Sequence, residues 1–433
     1  MPVSRASSAP RPSRAGGAPS GSADLPLHGG RVPPWLFQRM ARLGRVIAEA
    51  VVLEYGREEL LRRLAHPFWF QSFGAVMGMD WHSSGITTSV VGALQRGLAP
   101  VEGELGLKVC GGRGRHSRRT PDELVAFGER TGLDGAALAR TSRLVAKVDG
   151  AAVQDGYELY LHAFVVAADG AWVVVQQGMD AGARLARRYH WLSEGLTSFV
   201  EEPHAAIDGR PRGVIVNLTD RRAAQARAAQ VELVRGGPAR IVEAVRRGAA
   251  LPHLQLPGRH AVRADDVILR RLHGALAAAA DRGPADFAEL LLTPGVGART
   301  VLSLALAAEI IHGTPSRFTD PARFSLAHGG KDGHPFPVPL RVYDETLRVL
   351  RRAVDGAKLG QDERLAAIRR LDAQARSLET AAAGRGPSFE AFVAAERAAS
   401  PALGGHTVMD PAPPRRPSRG RPAGPAQLGL KLR

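Results

Sequence analysis

Residues Asp286–Gly313 read DFAELLLTPGVGARTVLSLALAAEIIHG. A short apolar run, Leu290-Leu291-Leu292, meets Pro294-Gly295-Val296-Gly297, and a second apolar run begins at once. Apolar residues at helical spacing on both sides predict two helices joined by a very tight turn. Gly295 and Gly297 are expected to supply backbone freedom, and Val296 between them to plug into the helix pair. The second helix would start with unbonded N–H groups at its positive dipole end. Such an end takes a phosphate oxygen without help from a side chain. Gly295, Val296, Gly297, Arg299 and Thr300 are therefore the first candidates for contact with a nucleic-acid backbone. The bland alternative is a tight turn between core helices.

Working toward the N-terminus, Asp265–Ala280, Pro238–Ala249 and Asp220–Val234 read as Arg- and Ala-rich helices. Toward the C-terminus, Asp344–Ala357 and Asp362–Ala382 read the same way. Upstream of residue 218 the pattern changes. Tyr157–Ala167 and Ala171–Gln177 are β-rich runs joined at Asp169-Gly170, a favoured hairpin turn. Val214–Leu218 predicts one more short strand. Helices are predicted from Pro33 to Tyr55, around Leu60–Leu64, on both sides of Asp80–Gly85, from Asp134 to Val148, and over Arg184–Phe199. Thr120-Pro121-Asp122-Glu123 predicts a capped helix start. The expected fold class is α+β, a β-hairpin packed by helices followed by a helical part. The expected organisation is a basic tail over 1–22, an α/β domain over 23–218, a helical domain over 219–400 and a second basic tail over 401–433.

Charge supports that division. The net charge is +16, and nine of these charges lie in the two tails, which hold no acidic residue beyond Asp410 or before Ala23. Pro, Ser, Gly and Arg mixtures cannot bury apolar surface, so the tails are expected to be disordered and attracted to polyanions. A hydrophobic content of 44% suffices for a core. A single cysteine, Cys110, excludes an intramolecular disulfide and any multi-cysteine zinc site. No leader segment and no run of about 18 apolar residues is visible, so a cytoplasmic chain without a membrane partner is expected.

Chemistry-bearing residues crowd the N-terminal part. Asp80 and His82 have the types of a carboxylate–imidazole pair. Lys147 with Asp149, and Asp155, form a second group. Gln177 ends the hairpin, and Arg188 and His190 lie among aromatic residues. These eight are the catalytic candidates. If Asp80, Asp149 and Asp155 converge, they offer oxygen ligands for Mg²⁺; no metal motif fixes this. Cys110–Arg119, CGGRGRHSRR, reads as a Gly-rich basic loop in which Arg113 and Arg115 are phosphate-contact candidates. It lacks the Lys-Ser or Lys-Thr of a nucleoside-triphosphate loop. Lys331, within FSLAHGGKDGHPFPV, is a further backbone-contact candidate.

Several long stretches, LPLHGGRVPPWLFQRM, PFWFQSFGAVMGMDWHSSGITTSVVGAL, SRLVAKVDGAAVQDGYELYLHAF, VVQQGM, ARRYHWL, TPGVGARTV and FSLAHGGKDGHPFPV, resemble domain-of-unknown-function family 763 from about Asp24 to Ala357. That resemblance implies no activity. TPGVGART also resembles the helix-hairpin-helix element of DNA-binding and DNA-repair proteins, which implies DNA as a partner. Within that group, the glycosylases resemble this chain over a shorter span, and some carry a catalytic Lys at the position of Arg299, where Arg cannot form a Schiff base. Asp320 or Asp332 would stand near their catalytic Asp. The expected function is a DNA-binding protein of repair or processing type, leaning to phosphodiester hydrolysis by the N-terminal polar cluster. The alternatives are a scaffold without turnover, a glycosylase-like enzyme, and a small-molecule enzyme in which the hairpin is purely structural.

Overall fold

The computed structural model describes residues 25–26, 32, 34–79, 85–183, 185–249, 269–322, 340–356, 363 and 365–371. Asp80, His82, Lys331, Asp332 and both tails lie outside the described residues.

The chain is α+β. Strand β1 (Leu25–Pro26) leads to helices α1 (Pro34–Tyr55), α2 (Arg57–Ala65), α3 (Pro67–Val76), α4 (Gly85–Leu98) and α5 (Glu102–Leu105). Strand β2 (Leu107–Arg113) and a 3-10 turn (Gly114–Arg119) precede α6 (Thr120–Thr131) and α7 (Gly135–Lys147). A π-turn (Val148–Ala152) then leads to β3 (Val153–Gln154), β4 (Glu158–Ala167), β5 (Trp172–Asp180), β6 (Leu185–Leu192), β7 (Ala206–Asp208) and β8 (Val214–Asn217). Helices α8 (Ala224–Arg235), α9 (Pro238–Ala249), α10 (Leu269–Arg282), α11 (Phe287–Leu292) and α12 (Ala298–His312), strand β9 (Arg317–Thr319) and α13 (Leu340–Gly356) complete the order.

The main sheet is antiparallel with order β1-β6-β5-β4-β2, and β7 pairs with a further stretch of β6. A second sheet runs β3-β8-β9. Both faces of the main sheet are covered, so β4, β5 and β6 are buried over most of their length on both faces, polar residues included. Cys110, Phe164, Val174, Tyr189 and Trp191 point into one core, shared with residues of α6 to α12. Val109, Ala163, Val165, Val173 and Val175 point into the other, shared with α1 to α4 and α13. Cys110 is fully buried, and burial pushes its thiol up to about 12.

Three local expectations are corrected. Arg184–Phe199 is not a helix: Leu185–Leu192 is a central strand, bonded to β5 on one side and to β1 and β7 on the other. Its polar residues alternate between faces, Arg187 and Tyr189 on one and Arg188 and His190 on the other, and distant acids neutralise the two arginines. Cys110–Arg113 is the end of β2, so only Gly114–Arg119 turns away as a basic 3-10 segment. Thr120 lies inside α6 and its hydroxyl donates to Ser117 O at 2.9 Å, while Glu123 accepts from Gly111 N–H at 2.8 Å instead of capping.

Candidate functional site

The pleat of β5 and β6 decides what can meet. Successive side chains on a strand leave by opposite faces. Gln176, Arg187, Tyr189 and Trp191 fall on the face toward α7, and Gln177, Arg188 and His190 on the face toward α2 to α4. The described catalytic candidates are therefore not brought into one cleft. Asp149 and Asp155 lie on the first face, and Gln177, Arg188 and His190 on the second.

On the second face, Gln177 donates to the Tyr160 hydroxyl at 2.5 Å and accepts from the Thr87 hydroxyl. Arg188 is fully buried. It donates to Gln71 Oε1 at 2.5 Å and Asp208 Oδ2 at 3.0 Å, and stacks 4.9 Å from the Phe70 ring centre. His190 Nδ1 meets Leu64 O at 3.0 Å, and burial, with Arg188 beside it, holds its imidazole well below the usual range. These contacts join the sheet to α2, α3 and α4.

On the first face, Arg187 forks between two carboxylates. It lies 2.8 Å from Asp155 Oδ2 and 2.7 Å from Asp320 Oδ2, and donates to Arg210 O at 2.5 Å. Tyr189 adds a hydroxyl bond to Asp155 at 2.6 Å. Burial opposes the Arg187 charge, but the two acids more than offset it and hold it above its ordinary range. Burial pushes the Asp155 carboxyl up against the pull of Arg187. Asp320, the glycosylase-type candidate, is thus fully occupied by Arg187 and by the Arg212 N–H, which it accepts at 2.6 Å.

Beside this lies a second buried chain of polar groups, centred on Asp149. Its Oδ2 accepts from Trp191 Nε1 at 3.0 Å and Gln176 Nε2 at 2.5 Å, and its Oδ1 pairs with His204 Nε2 at 2.6 Å. Gln176 Oε1 faces His162 Nδ1 at 2.7 Å, and His162 Nε2 faces Ser142 Oγ at 2.8 Å. Burial lowers the His162 imidazole, against the pull of Gln176 and Asp149. Ser142, His162 and Gln176 line a cavity of about 260 Å³, together with the exposed Arg118 and Arg143. The sequence signalled this group only faintly. His162 and Gln176 are polar residues at paired positions of two otherwise apolar strands, in register with each other.

The turn between α11 and α12 packs on the other side of α7. Asp286 caps α11 by accepting from Glu289 N–H at 2.8 Å. Gly295 has φ +84° and is exposed, so its left-handed backbone needs glycine. Gly297 has φ −143° and caps α12 in ordinary extended backbone, so the expected freedom is used at Gly295 alone. Val296 is 1% exposed and plugs into the core as expected. Lys147 donates to Val296 O, and Gln154 donates to Ala298 O at 3.0 Å, so both hold the turn from behind. Burial lowers the Lys147 ammonium. The first bond of the α12 ladder runs from Val301 N–H to Gly297 O at 2.9 Å. The amides of Ala298, Arg299 and Thr300 precede it, and none has an acceptor among the described residues. Arg299 is exposed, whereas the Thr300 hydroxyl turns back to Gly295 O at 3.4 Å.

The basic 3-10 segment exposes Arg115, Arg118 and Arg119, and Arg113 lies 5.6 Å over the Tyr160 ring. Among the described residues, no group of three or more His, Cys, Asp or Glu is placed to hold a metal ion, and Asp149 and Asp155 are each engaged by the donors above. Among the described residues, no helix is long and apolar enough to cross a membrane.

No curated protein and no solved structure matches the chain. The family described as "Protein of unknown function (DUF763)" matches residues 21–338, well over half of the sequence and spanning both the turn and the buried polar groups. The chain therefore belongs to the DUF763 family.

Proposed function

We propose that the protein is a cytoplasmic DNA-binding protein of the repair or processing type, gripping the phosphate backbone with a helix-hairpin-helix element over 286–313 and acting on phosphodiesters. One observation carries this reading. The start of α12 offers three amides without acceptors among the described residues, at an exposed glycine turn, with Arg299 exposed beside them. Amides, dipole and guanidinium all favour the same ligand, a phosphate. Helix α7 adds support. It anchors the turn through Lys147 and carries Arg143 toward the basic segment at Arg113–Arg119, so phosphate-binding groups flank it on two sides.

A binding module without turnover is the second reading. It is favoured by the commitment of Asp155, Arg188 and Asp320 to internal ion pairs. The glycosylase alternative loses support from the same fact, because Arg187 already occupies the Asp320 carboxylate.

Fluorescence anisotropy with labelled DNA, titrated from low to high salt, tests the proposal. Affinity is expected to fall steeply with salt, with a slope of log affinity against log salt of about −0.9 per phosphate contact in duplex DNA. Arg299→Ala should weaken binding and make that slope shallower by about one contact. No binding at low salt, or an Arg299→Ala protein indistinguishable from the parent in both affinity and slope, would refute a phosphate-binding role for this turn.

A further inference from the structure

The Ser142–His162 contact has a direction that the surrounding groups determine. Gln176 Nε2 faces two acceptors, Asp149 Oδ2 at 2.5 Å and Val145 O at 3.4 Å. Only the amide nitrogen satisfies both, so the amide oxygen must face His162. An oxygen 2.7 Å from Nδ1 requires a hydrogen on that nitrogen. In a neutral imidazole the other nitrogen then carries only a lone pair. Ser142 O–H must therefore donate to His162 Nε2, across 2.8 Å. The oxygen lone pairs of Ser142 are left over, and Ser142 lines the cavity of about 260 Å³.

A buried serine–histidine pair serving packing alone would account for the bond. It would not account for the cavity built on that bond, nor for its exposed walls. Arg118 and Arg143 line the same cavity, and neither forms an ion pair among the described residues. At the far end of the relay the Asp149 carboxylate is fixed by Trp191, His204 and Gln176, so its charge lies in one direction from the imidazole and stabilises a proton arriving there. Nucleophile, base, orienting group and anion-binding groups thus occupy one small space.

We propose that this cavity is a hydrolytic site in which Ser142 is the nucleophile, His162 its general base, and a phosphate ester the substrate, its charge met by Arg118 and Arg143. The substrate class rests on the DNA reading above; the nucleophile does not. In the first half, Ser142 Oγ bonds to phosphorus as its proton passes to His162 Nε2. The bond from phosphorus to the leaving alcohol breaks, and that oxygen takes the proton from His162. In the second half, water attacks the phosphoserine and gives a proton to His162. The Oγ–phosphorus bond breaks, and Ser142 recovers the proton. One ester and one water become one phosphate and one alcohol, with no change of oxidation state.

A fluorophosphonate probe tests this on the full chain, because its phosphorus accepts an activated serine oxygen with loss of fluoride. Peptide mapping by mass spectrometry is expected to find the adduct on Ser142. Ser142→Ala should abolish it, and His162→Gln should slow it by about a hundredfold or more. The wild-type mapping stands whether or not either variant folds, and thermal melting shows which of them do. A native protein without an adduct at Ser142, or a folded His162→Gln protein labelled at the parent rate, overturns the proposal. Anisotropy with labelled DNA on the same samples separates the two readings. DNA binding without an adduct refutes the nucleophile and leaves the hairpin standing. An adduct without DNA binding upholds the nucleophile and refutes the DNA reading.

Discussion

Replacing Arg187 by Ala is expected to cost about 3–5 kcal/mol of folding stability, read as a lower urea midpoint. Arg187 is 0% exposed and is the cation held between Asp155 and Asp320, themselves buried. Truncation would leave two carboxylates in a dry interior facing each other, which is the costly way to break a buried ion pair. It would also unfasten the segment after β9 from the main sheet, because Asp320 is the bridge between them. Burial already pushes Asp155 toward its neutral form with Arg187 present. Without the guanidinium that tendency should grow. Arg187→Lys should recover little, since an ammonium cannot reach both acids and Arg210 O with a planar fork. A midpoint for Arg187→Ala equal to that of the parent would mean that this triad contributes nothing to the fold.

Gly111→Ala is expected to cost about 2–5 kcal/mol in the same assay. Gly111 sits at φ +87°, and a Cβ there would fall 2.4 Å from both His162 O and Thr120 Oγ1. The first of these atoms is strand backbone and cannot rotate away. Relief would have to come from moving β4 at the residue that carries the His162 imidazole, or from shifting the start of α6. The contacts at this corner are otherwise tight, since Gly111 N–H is held by Glu123 and Gln95 reaches Gly111 O at 3.4 Å. Gly111 is thus required by the close packing of β2 on β4 and α6. Parent-like stability in Gly111→Ala would contradict that assignment.

These two positions also show what sequence can and cannot reveal. The β4–β5 hairpin was legible because its turn has local chemistry. Gly170 adopts φ +90°, and Asp169 accepts from Ala171 N–H at 2.9 Å, both within the turn itself. The start of α7 was legible for the same reason, with Asp134 accepting from Ala137 N–H at 2.9 Å. Strand β6 was not. Arg187 and Arg188 look like the polar face of a helix until Asp155, Asp208 and Asp320 neutralise them, and those acids lie 20 to 133 residues away. The candidate site divides in the same manner. Asp149 stood out beside Lys147, and the α12 start stood out by its glycines. Ser142 and His162 did not, since each is a lone polar residue whose meaning comes only from its partner, one on α7 and the other on β4. Lys147, expected in catalysis, donates to Val296 O in the turn between α11 and α12.

On the reading proposed above, the first amides of α12 receive phosphate oxygens. Hydrogen–deuterium exchange with and without DNA tests it at the atoms concerned. The peptide spanning Pro294 to Leu302 is expected to exchange more slowly when DNA is bound, with the basic segment at Arg113–Arg119 following. DNA that binds while exchange over Pro294 to Leu302 stays unchanged would contradict it.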